Sequence, residues 1–365
     1  MMFSEKRVSD SPPLKIRVLI LALSSTLTAG LAEGLIRMVD GNALPMIRLF
    51  KADQKGHIQL APNGEARIAS PRGLPWVIHT DDRGHRVAPQ PLTDKAWIVV
   101  GDSQVMGNGV ADDEPFPSLL SLDGEPAHNL GVPGYGVGDA LWAATQHLDQ
   151  HGAGGVIVVV NQMNDWEETE APVGERYQVR GGWLIDAEDA ASARGSFLAS
   201  PLARTHIGFL LGHLILRDWN PEPDPTPEWM SDPAGQRTKT LHIASAIQAF
   251  ARTHPDTHVL PVYLPADVYA AAGRATATPL APHLTSIDGN PWEDTRLRDQ
   301  VMITLADMDP VDLTPALTDH SAFLEGDYHL SAAGHQAVAN AIMSSLERPP
   351  PTEAPGSTVE ETPPQ

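Results

Sequence analysis

The sequence contains no cysteine, and this absence excludes several kinds of chemistry. Without a thiol the chain has no disulfide, no thiolate nucleophile, no cysteine-based zinc or iron–sulfur site and no lipid-modified N-terminal cysteine. Basic residues are also scarce, with 25 Lys and Arg against 46 Asp and Glu, a formal net charge of −21. Because so acidic a chain repels phosphate backbones, nucleic acid is excluded as the main partner.

The length and composition allow one large domain with appendages or two small domains. The chain has 365 residues, 42% of them apolar, whereas a domain takes roughly 100–200 residues. We divide it into a cytoplasmic tip and signal or anchor segment at 1–40, a hairpin-rich segment at 41–95, a main domain at 96–347 and a disordered tail at 348–365. The main domain carries an insertion at 166–235.

An apolar segment follows the basic N-terminal residues. Lys15 and Arg17 precede Val18 to Ala32, a 15-residue run without a formal charge. Extended to Ile36 it forms about 28 Å of helix, barely enough for a hydrocarbon core of ~30 Å. A cleaved signal peptide, an uncleaved anchor and a buried helix are the alternatives. The basic residues favour export, which predicts an inner-membrane anchor with the main domain in the periplasm, or secretion if the segment is cleaved.

From residue 96 onwards, apolar runs alternate with helical periodicity. Ala96 to Val100, Val156 to Val160 and Val259 to Leu264 predict strands buried on both faces, the last in spite of Pro261. Three helices follow in the intervals, with apolar faces at Leu141, Ala144 and Leu148, at Ile243, Ile247 and Phe250, and at Val338, Ile342 and Leu346. This order predicts an α/β fold, a three-layer α/β/α sandwich with a mainly parallel sheet.

Two segments interrupt this alternation. Turn signals between residues 56 and 95 predict hairpins outside the main core. The insertion combines a proline-rich stretch from 221 to 227 with an apolar helix marked by Ile207, Leu210, Leu211 and Leu214. We interpret this helix as part of the core rather than as a membrane-facing or substrate-gating element.

A serine lies at the end of the first buried strand, in Gly101-Asp102-Ser103. A serine at the carboxyl end of a strand, on a glycine-flanked turn, is where an α/β fold presents a nucleophile. A purely structural strand-to-helix turn is the alternative. Dinucleotide binding by Gly107-Asn108-Gly109 is excluded, because Asp112 replaces the third glycine of that fingerprint.

Three further polar blocks follow. The glycine-dense loop 129–136 presents backbone N–H groups that can receive an oxyanion. The block 161–165 ends the second buried strand. Before the last helix, whose predicted N-cap is Ser331, His329 follows Asp327 by two residues and supplies a base with a carboxylate to orient it.

In this order the four blocks resemble the SGNH hydrolases, also called GDSL esterases, over roughly Ala96 to Leu346. The resemblance implies a flavodoxin-like fold, with Ser103 as nucleophile and first oxyanion donor. Gly134 matches the second donor, Asn164 matches the third through its side-chain amide, and His329 matches the general base. The loop Asn-Leu-Gly-Val-Pro-Gly-Tyr-Gly and the leading apolar segment are similar to the membrane-anchored or exported bacterial branch.

Two positions depart from the family pattern. Gln162 stands where the third block has glycine, which predicts a less compact backbone beside Asn164 and less room for substrate. Gly326 stands where an Asp precedes the histidine by three residues, while Asp327 precedes it by two, as in the related alginate-type O-acetyltransferases. Asp327 is therefore predicted to orient His329.

The resemblance implies a serine esterase that cleaves acyl esters, with short, acetyl-like acyl groups and with no cofactor or metal. The expected substrates are small-molecule, glycan or lipid esters of the envelope, and the expected partner is the membrane. An O-acyltransferase acting on envelope polysaccharide and a non-catalytic envelope binding protein are the alternatives. The pairs His147 with His151 and His254 with His258 are interpreted as surface histidines, since neither pair has a third ligand.

Overall fold

A computed structural model of the chain describes residues 13–44, 46–69, 75–91, 93, 95–168, 171–209, 233–271 and 296–347. Its helices are α1 (Leu14–Asp40), α2 (Ser103–Met106), α3 (Phe116–Leu122), α4 (Val137–His151), α5 (Asp165–Glu168), α6 (Val173–Arg176), α7 (Ala193–Ala199), α8 (Pro233–Thr253), α9 (Asp267–Ala270), α10 (Arg296–Thr304) and α11 (Ala332–Leu346). Its strands are β1 (Phe50–Ala52), β2 (Ile58–Leu60), β3 (Glu65–Ile68), β4 (Trp76–His79), β5 (Trp97–Val100), β6 (Ala127–Asn129), β7 (Gly155–Asn161), β8 (Tyr177–Arg180), β9 (Trp183–Asp186), β10 (His258–Leu264) and β11 (Val311–Asp312).

The centre of the fold is a sheet of five parallel strands in the order β6-β5-β7-β10-β11. In chain order this is 2-1-3-4-5, the flavodoxin-like arrangement. The order reverses between β5 and β7, and in such sheets ligands bind outside the carboxyl ends of the strands at that point. The three long strands are confirmed. The short β6 and β11 were not predicted, because two or three residues show no period.

Helices cover both faces of the sheet. In β7, Val156, Val158 and Val160 pack into the core shared with α4, α8 and α10, while Ile157 and Val159 pack into the core shared with α3 and α11. All five side chains are at most 2% exposed, which explains why the strand is apolar at every position. The predicted three-layer sandwich is confirmed.

Pro261 lies inside β10 without removing a hydrogen bond between strands of the sheet. The Tyr263 carbonyl accepts from the Leu313 N–H on the β11 side, and since backbone groups alternate along a strand, the nitrogen of Pro261 faces that same side. There β11 begins opposite Val262, so the missing N–H of Pro261 has no strand to bond.

The hairpin segment belongs to the main core, contrary to the prediction. Strands β1–β2 and β3–β4 form two antiparallel pairs, and their inward residues Ile58, Ile68 and Ile78 are at most 5% exposed within the cluster that contains Val100. The Tyr135 hydroxyl donates to the Ile58 carbonyl at 2.6 Å. Apolar residues on one face of each hairpin require a covering surface, and the sheet and α4 provide it.

Helix α1 is longer than the apolar run predicted. It has 27 residues, about 40 Å, because it continues past Ile36 through Arg37, whose Nε is 2.7 Å from Glu33 Oε1 one turn earlier. It ends at Gly41 with φ +59°. Within the described ranges it is the one helix long and apolar enough to cross a membrane, and its apolar side chains are exposed.

Residues 171–209 of the insertion contain the β8–β9 hairpin and the helices α6 and α7, rather than helices alone. Of the predicted apolar helix, a helical turn at residues 206–209 is described. Its continuation through Leu210, Leu211 and Leu214, the proline-rich stretch and the tail at 348–365 lie outside the described residues.

Candidate active site

Ser103, His329 and Asp327 lie in hydrogen-bonding order at the carboxyl edge of the sheet. Helix α2 begins at Ser103 directly past β5, and Asp102 caps it by accepting from the Gln104 N–H at 2.9 Å. His329 Nε2 is 2.9 Å from Ser103 Oγ, and His329 Nδ1 is 2.7 Å from Asp327 Oδ1. A hydroxyl, an imidazole and a carboxylate in this order can transfer the hydroxyl proton to the imidazole.

Asp327 holds the imidazole through two contacts. Besides the ring contact, its Oδ1 accepts from the backbone N–H of His329 at 3.1 Å. Burial opposes ionisation of Asp327, but these bonds from His329 and the histidine's charge hold the pKa of the carboxyl below its usual value. Asp319 instead accepts from the Ser321 N–H and caps a 3-10 turn. The Asp-x-His spacing thus brings carboxylate and base together.

The side chain of Gln104 connects to both neighbours of the histidine. Its Nε2 donates to the Tyr328 carbonyl at 3.1 Å and its Oε1 accepts from the Leu330 N–H at 3.0 Å. The Tyr328 ring stacks on His329 with centroids 4.3 Å apart, and Asn108 Nδ2 lies 3.3 Å from each ring nitrogen. Sequence reasoning missed Gln104 and Asn108, and their one signal is their position within five residues of Ser103.

The loop after β6 presents Gly134 with φ +83°, a conformation that favours glycine. Arg176 Nη2 donates to the Gly134 carbonyl at 2.6 Å and fixes the orientation of that peptide. A Cβ at Gly131 would lie 2.2 Å from the Met106 nitrogen, so only glycine lets this loop approach α2. Within the described part of the chain, the backbone N–H groups of Ser103 and Gly134 donate no hydrogen bond.

Asn164 lies beside the same turn, with its amide already engaged. Its Nδ2 donates to Asp102 Oδ2 at 3.0 Å and to Glu168 Oε2 at 2.7 Å, while its buried Oδ1 has no partner. Asn161 Nδ2 also donates to Asp102 Oδ2, at 2.8 Å. Asp102 therefore orients both asparagines, and an oxyanion that binds the Asn164 amide must displace Asp102 or Glu168.

Burial, followed by the charge of Asp102, raises the pKa of Glu168 to about 8. Arg176 Nη1 is 3.7 Å from Glu168 Oε1 and partly offsets this effect. At neutral pH the carboxyl is largely protonated. It therefore accepts the hydrogen bond from the Asn164 amide as a neutral group, which makes that bond weaker than one to a carboxylate. Sequence reasoning missed Glu168, which is four residues past Asn164 on a one-turn helix.

Gln162 does not loosen the third block, contrary to the prediction. Its Oε1 accepts from the Ala266 N–H at 3.1 Å, which ties the ends of β7 and β10 together. The Asn161 N–H donates to Asp165 Oδ2 at 2.6 Å and the Met163 N–H donates to Asn161 Oδ1 at 3.1 Å. These bonds close the turn, so a side chain in place of glycine costs no compactness.

Arg86, from the hairpin segment, is buried beneath the turn after α2. Its guanidinium donates to the carbonyls of Gly107 and Val110 at 2.6 Å each, and its Nε donates to Asp112 Oδ1 at 3.0 Å. Burial lowers the pKa of Arg86, and the carboxylate of Asp112 opposes that effect. No chemistry was predicted in this segment. The guanidinium of Arg86 fixes the conformation of the turn that carries Asn108, because it donates to carbonyls of that turn.

His147 is 4% exposed, so its interpretation as a surface residue is wrong. Its ring centroid lies 5.2 Å from that of His85, in the turn after β4, and 4.8 Å from that of His128, in β6. Burial and then neighbouring histidine charge lower the pKa of His85 and of His147 to about 3 each, which keeps both neutral. In the described ranges, no three His, Asp or Glu side chains are placed to hold a metal ion.

No family model matches the sequence, and no curated protein sequence matches it. Several solved structures are similar. A GDSL-like lipase from Bacteroides thetaiotaomicron is 11% identical, with a TM-score of 0.37 over 70% of this chain and 88% of that one. An α/β hydrolase from the metagenome of Lake Arreo is 14% identical, with a TM-score of 0.35 over 70% and 96%. A psychrotrophic esterase from a Pseudoalteromonas species is 11% identical, with a TM-score of 0.35 over 69% and 96%. At these identities and TM-scores the likenesses carry no information on the reaction of this chain.

Proposed function

We propose that the chain is a serine esterase of the SGNH hydrolase type. The observation that carries this proposal is the chain of contacts from Ser103 Oγ to His329 Nε2 at 2.9 Å and from His329 Nδ1 to Asp327 at 2.7 Å. It lies at the point where the strand order reverses, where open α/β sheets bind ligands. Four sequence blocks of the family supply these residues in the family's order.

The reaction begins when neutral His329 takes the proton of Ser103 and the serine oxygen attacks the ester carbonyl. The backbone N–H groups of Ser103 and Gly134 then donate to the tetrahedral oxyanion. Asp327 stabilises the imidazolium, which protonates the leaving alcohol. Water repeats the steps on the acyl-enzyme and releases the acid.

Asn164 supplies the third donor when its amide turns from Glu168 to the oxyanion. A full negative charge on the substrate oxygen is a better acceptor than the protonated Glu168 carboxyl, so the exchange is favoured as the transition state forms. Asp102 keeps its bond to the amide and limits the movement to a rotation.

Aromatic rings beside the catalytic groups favour a short acyl chain. A Cβ at Gly134 would lie 3.1 Å from the ring of Tyr177, and Tyr328 stacks on His329. The bulk of these two rings supports a short, acetyl-like acyl group. Helix α1 supports a location at the envelope membrane, where glycan and lipid esters are the available substrates.

An O-acyltransferase uses the same residues up to the acyl-enzyme and differs in the acceptor. The family resemblance leaves this alternative open. Hydrolysis is our first proposal because water needs no binding site for an acceptor. A non-catalytic binding protein has no need of the relay between Ser103, His329 and Asp327, which disfavours that alternative.

Labelling with a fluorophosphonate, followed by a panel of aryl esters, tests the proposal. We expect labelling and turnover of aryl acetates in the parent chain, loss of both in Ser103→Ala, and retention of both in the exposed-site control Ser344→Ala. Parental turnover in Ser103→Ala would show that the nucleophile is another residue. Acylation of an added oligosaccharide, seen by mass spectrometry and dependent on Ser103, would replace hydrolysis with transfer.

A further inference from the structure

A cavity of about 210 Å³ lies at the C-terminal end of α1, between the hairpin segment and residues 204–206. We call it the junction cavity, and its lining includes Arg37, Arg48, Arg67, Arg204 and His206. Four arginines line the cavity with one carboxylate, that of Glu65, and a second carboxylate, that of Glu33, contacts Arg37 and His206. The cavity therefore concentrates positive charge on an acidic molecule.

Arg37 is satisfied by Glu33, Asn42 and the Arg204 carbonyl, whereas Arg48 and Arg67 are only partly satisfied by the protein. Arg67 Nε is buried and has no hydrogen-bond partner, a state that costs free energy unless an acceptor binds. Arg48 is held by one bond, from its Nε to the Gly181 carbonyl at 2.8 Å. Burial and the charge of Arg204 lower the pKa of Arg48, so an anion between the two would relieve their repulsion.

The position of the cavity indicates the source of that anion. It adjoins the C-terminal end of α1, where a helix that spans a bilayer leaves the hydrocarbon. Met38 and Val39 on the last turn of α1 are 83% and 84% exposed, and nearby Leu202 is 64% exposed. Exposed apolar side chains next to a basic cavity match a lipid, with acyl chains outside and a charged head group inside.

We propose that the junction cavity binds the phosphate of an anionic phospholipid, in the leaflet from which the main domain emerges. The planar guanidinium groups of Arg67 and Arg204 donate to the phosphate oxygens, and bidentate geometry of this kind is what arginine offers over lysine. The proposal concerns membrane attachment and does not depend on the esterase reaction.

Calorimetric titration of the full chain in a neutral detergent tests the proposal. The probes are dihexanoyl phosphatidylglycerol, dihexanoyl phosphatidylcholine and inorganic phosphate. We expect the anionic lipid to bind at least about tenfold more tightly than either of the others, because only it combines net charge with acyl chains. Arg67→Gln and Arg204→Gln should each weaken its binding about tenfold, the effect of losing one charge-assisted contact. The exposed control Arg252→Gln should leave it unchanged.

Aryl acetate turnover and thermal melting report whether each variant is folded. Arg204 is an exposed residue, so Arg204→Gln decides the outcome even if Arg67→Gln fails to fold. Equal binding of the two lipids would overturn the role of charge. Inorganic phosphate binding as tightly as the anionic lipid would make the cavity a site for soluble anions instead. Unchanged binding in a folded Arg204→Gln would remove the cavity from the lipid contact.

Discussion

At the scale of single residues, the proposed base His329 is positioned from two directions. Asp327 bonds the ring and the backbone of His329, and Gln104 bonds the backbone on both sides of it. Both of these positioning residues are less than four positions from the reacting groups in sequence. Their contacts fix where His329 Nε2 stands relative to Ser103 Oγ, so their loss should change rate more than substrate affinity.

Replacing Gln104 with Leu keeps the volume and removes both bonds to the backbone around His329. We expect kcat to fall by up to about 10²-fold, as small misplacements of a catalytic group do, with KM nearly unchanged. Gln104→Glu retains the acceptor for the Leu330 N–H and should be intermediate. Steady-state kinetics with an aryl acetate measure this, with the exposed Gln336→Leu as control. Parental kcat in folded Gln104→Leu would refute the positioning role.

Asp327→Asn should preserve the shape of the site and lose stabilisation of the imidazolium, lowering kcat by about 10²–10⁴. The matched control is Asp319→Asn. Asp319 caps a 3-10 turn through Ser321 and does not bond the base, so that variant should retain parental turnover. Both are measured by aryl acetate kinetics with melting temperatures as a check on folding. The reverse result would transfer the carboxylate role to Asp319.

At the scale of elements, the sequence predicted those strands and helices that are long enough for their buried residues to form a regular pattern. Val156 to Val160 was recognisable as a strand because both faces are buried, and Ser331 as an N-cap because its hydroxyl accepts from the Gly334 N–H. Gln104 could not be recognised, since its partners Tyr328 and Leu330 lie 224 and 226 residues away. Contacts between distant segments have no local pattern.

Helix α4 carries a buried histidine that should make the protein sensitive to acid. The pKa of His147 is about 3 in the fold, against an ordinary value near 6.5 in the unfolded chain. Its contribution to stability is therefore complete above pH 6.5 and is lost as the pH falls towards 3, at about 1.4 kcal/mol per pH unit.

His147→Gln should remove the contribution of His147, while His85, whose pKa is also about 3, keeps its own. Below pH 6.5 the melting temperature of the parent should fall faster than that of the variant, measured by calorimetry in a series of buffers. His242→Gln, on the exposed side of α8, is the control and should follow the parent. Parallel curves for the parent and His147→Gln would show that His147 can be protonated in the folded state.

At the scale of the whole molecule, α1 is held to the main domain by hydrogen bonds as well as by the peptide chain. Glu33 accepts from the N–H groups of His206 and Ile207 at 3.1 and 3.0 Å, and Arg37 donates to the Arg204 carbonyl at 3.2 Å. These contacts need Glu33 and Arg37 to stand one helical turn apart. Cleavage after Ala32 would leave Glu33 at a frayed terminus.

We therefore expect the N-terminal segment to be retained as an anchor. The intact mass of the protein from a membrane fraction should include residues before Glu33, and protease added after permeabilisation of the outer layer should digest the main domain. A mature chain beginning at Glu33 would identify the segment as a cleaved signal. Full-length protein solely in the cytosol would contradict export.

Arg86 also determines where a shortened chain that still folds by itself can begin. The division into a hairpin segment at 41–95 and a main domain from 96 separates this guanidinium from the carbonyls of Gly107 and Val110 that it satisfies. A truncated chain starting at residue 96 would leave those oxygens buried without donors and the core face of α4 uncovered. The smallest fragment able to refold with an ordered nucleophile turn thus starts upstream of the first hairpin, and both segments should unfold in one cooperative transition.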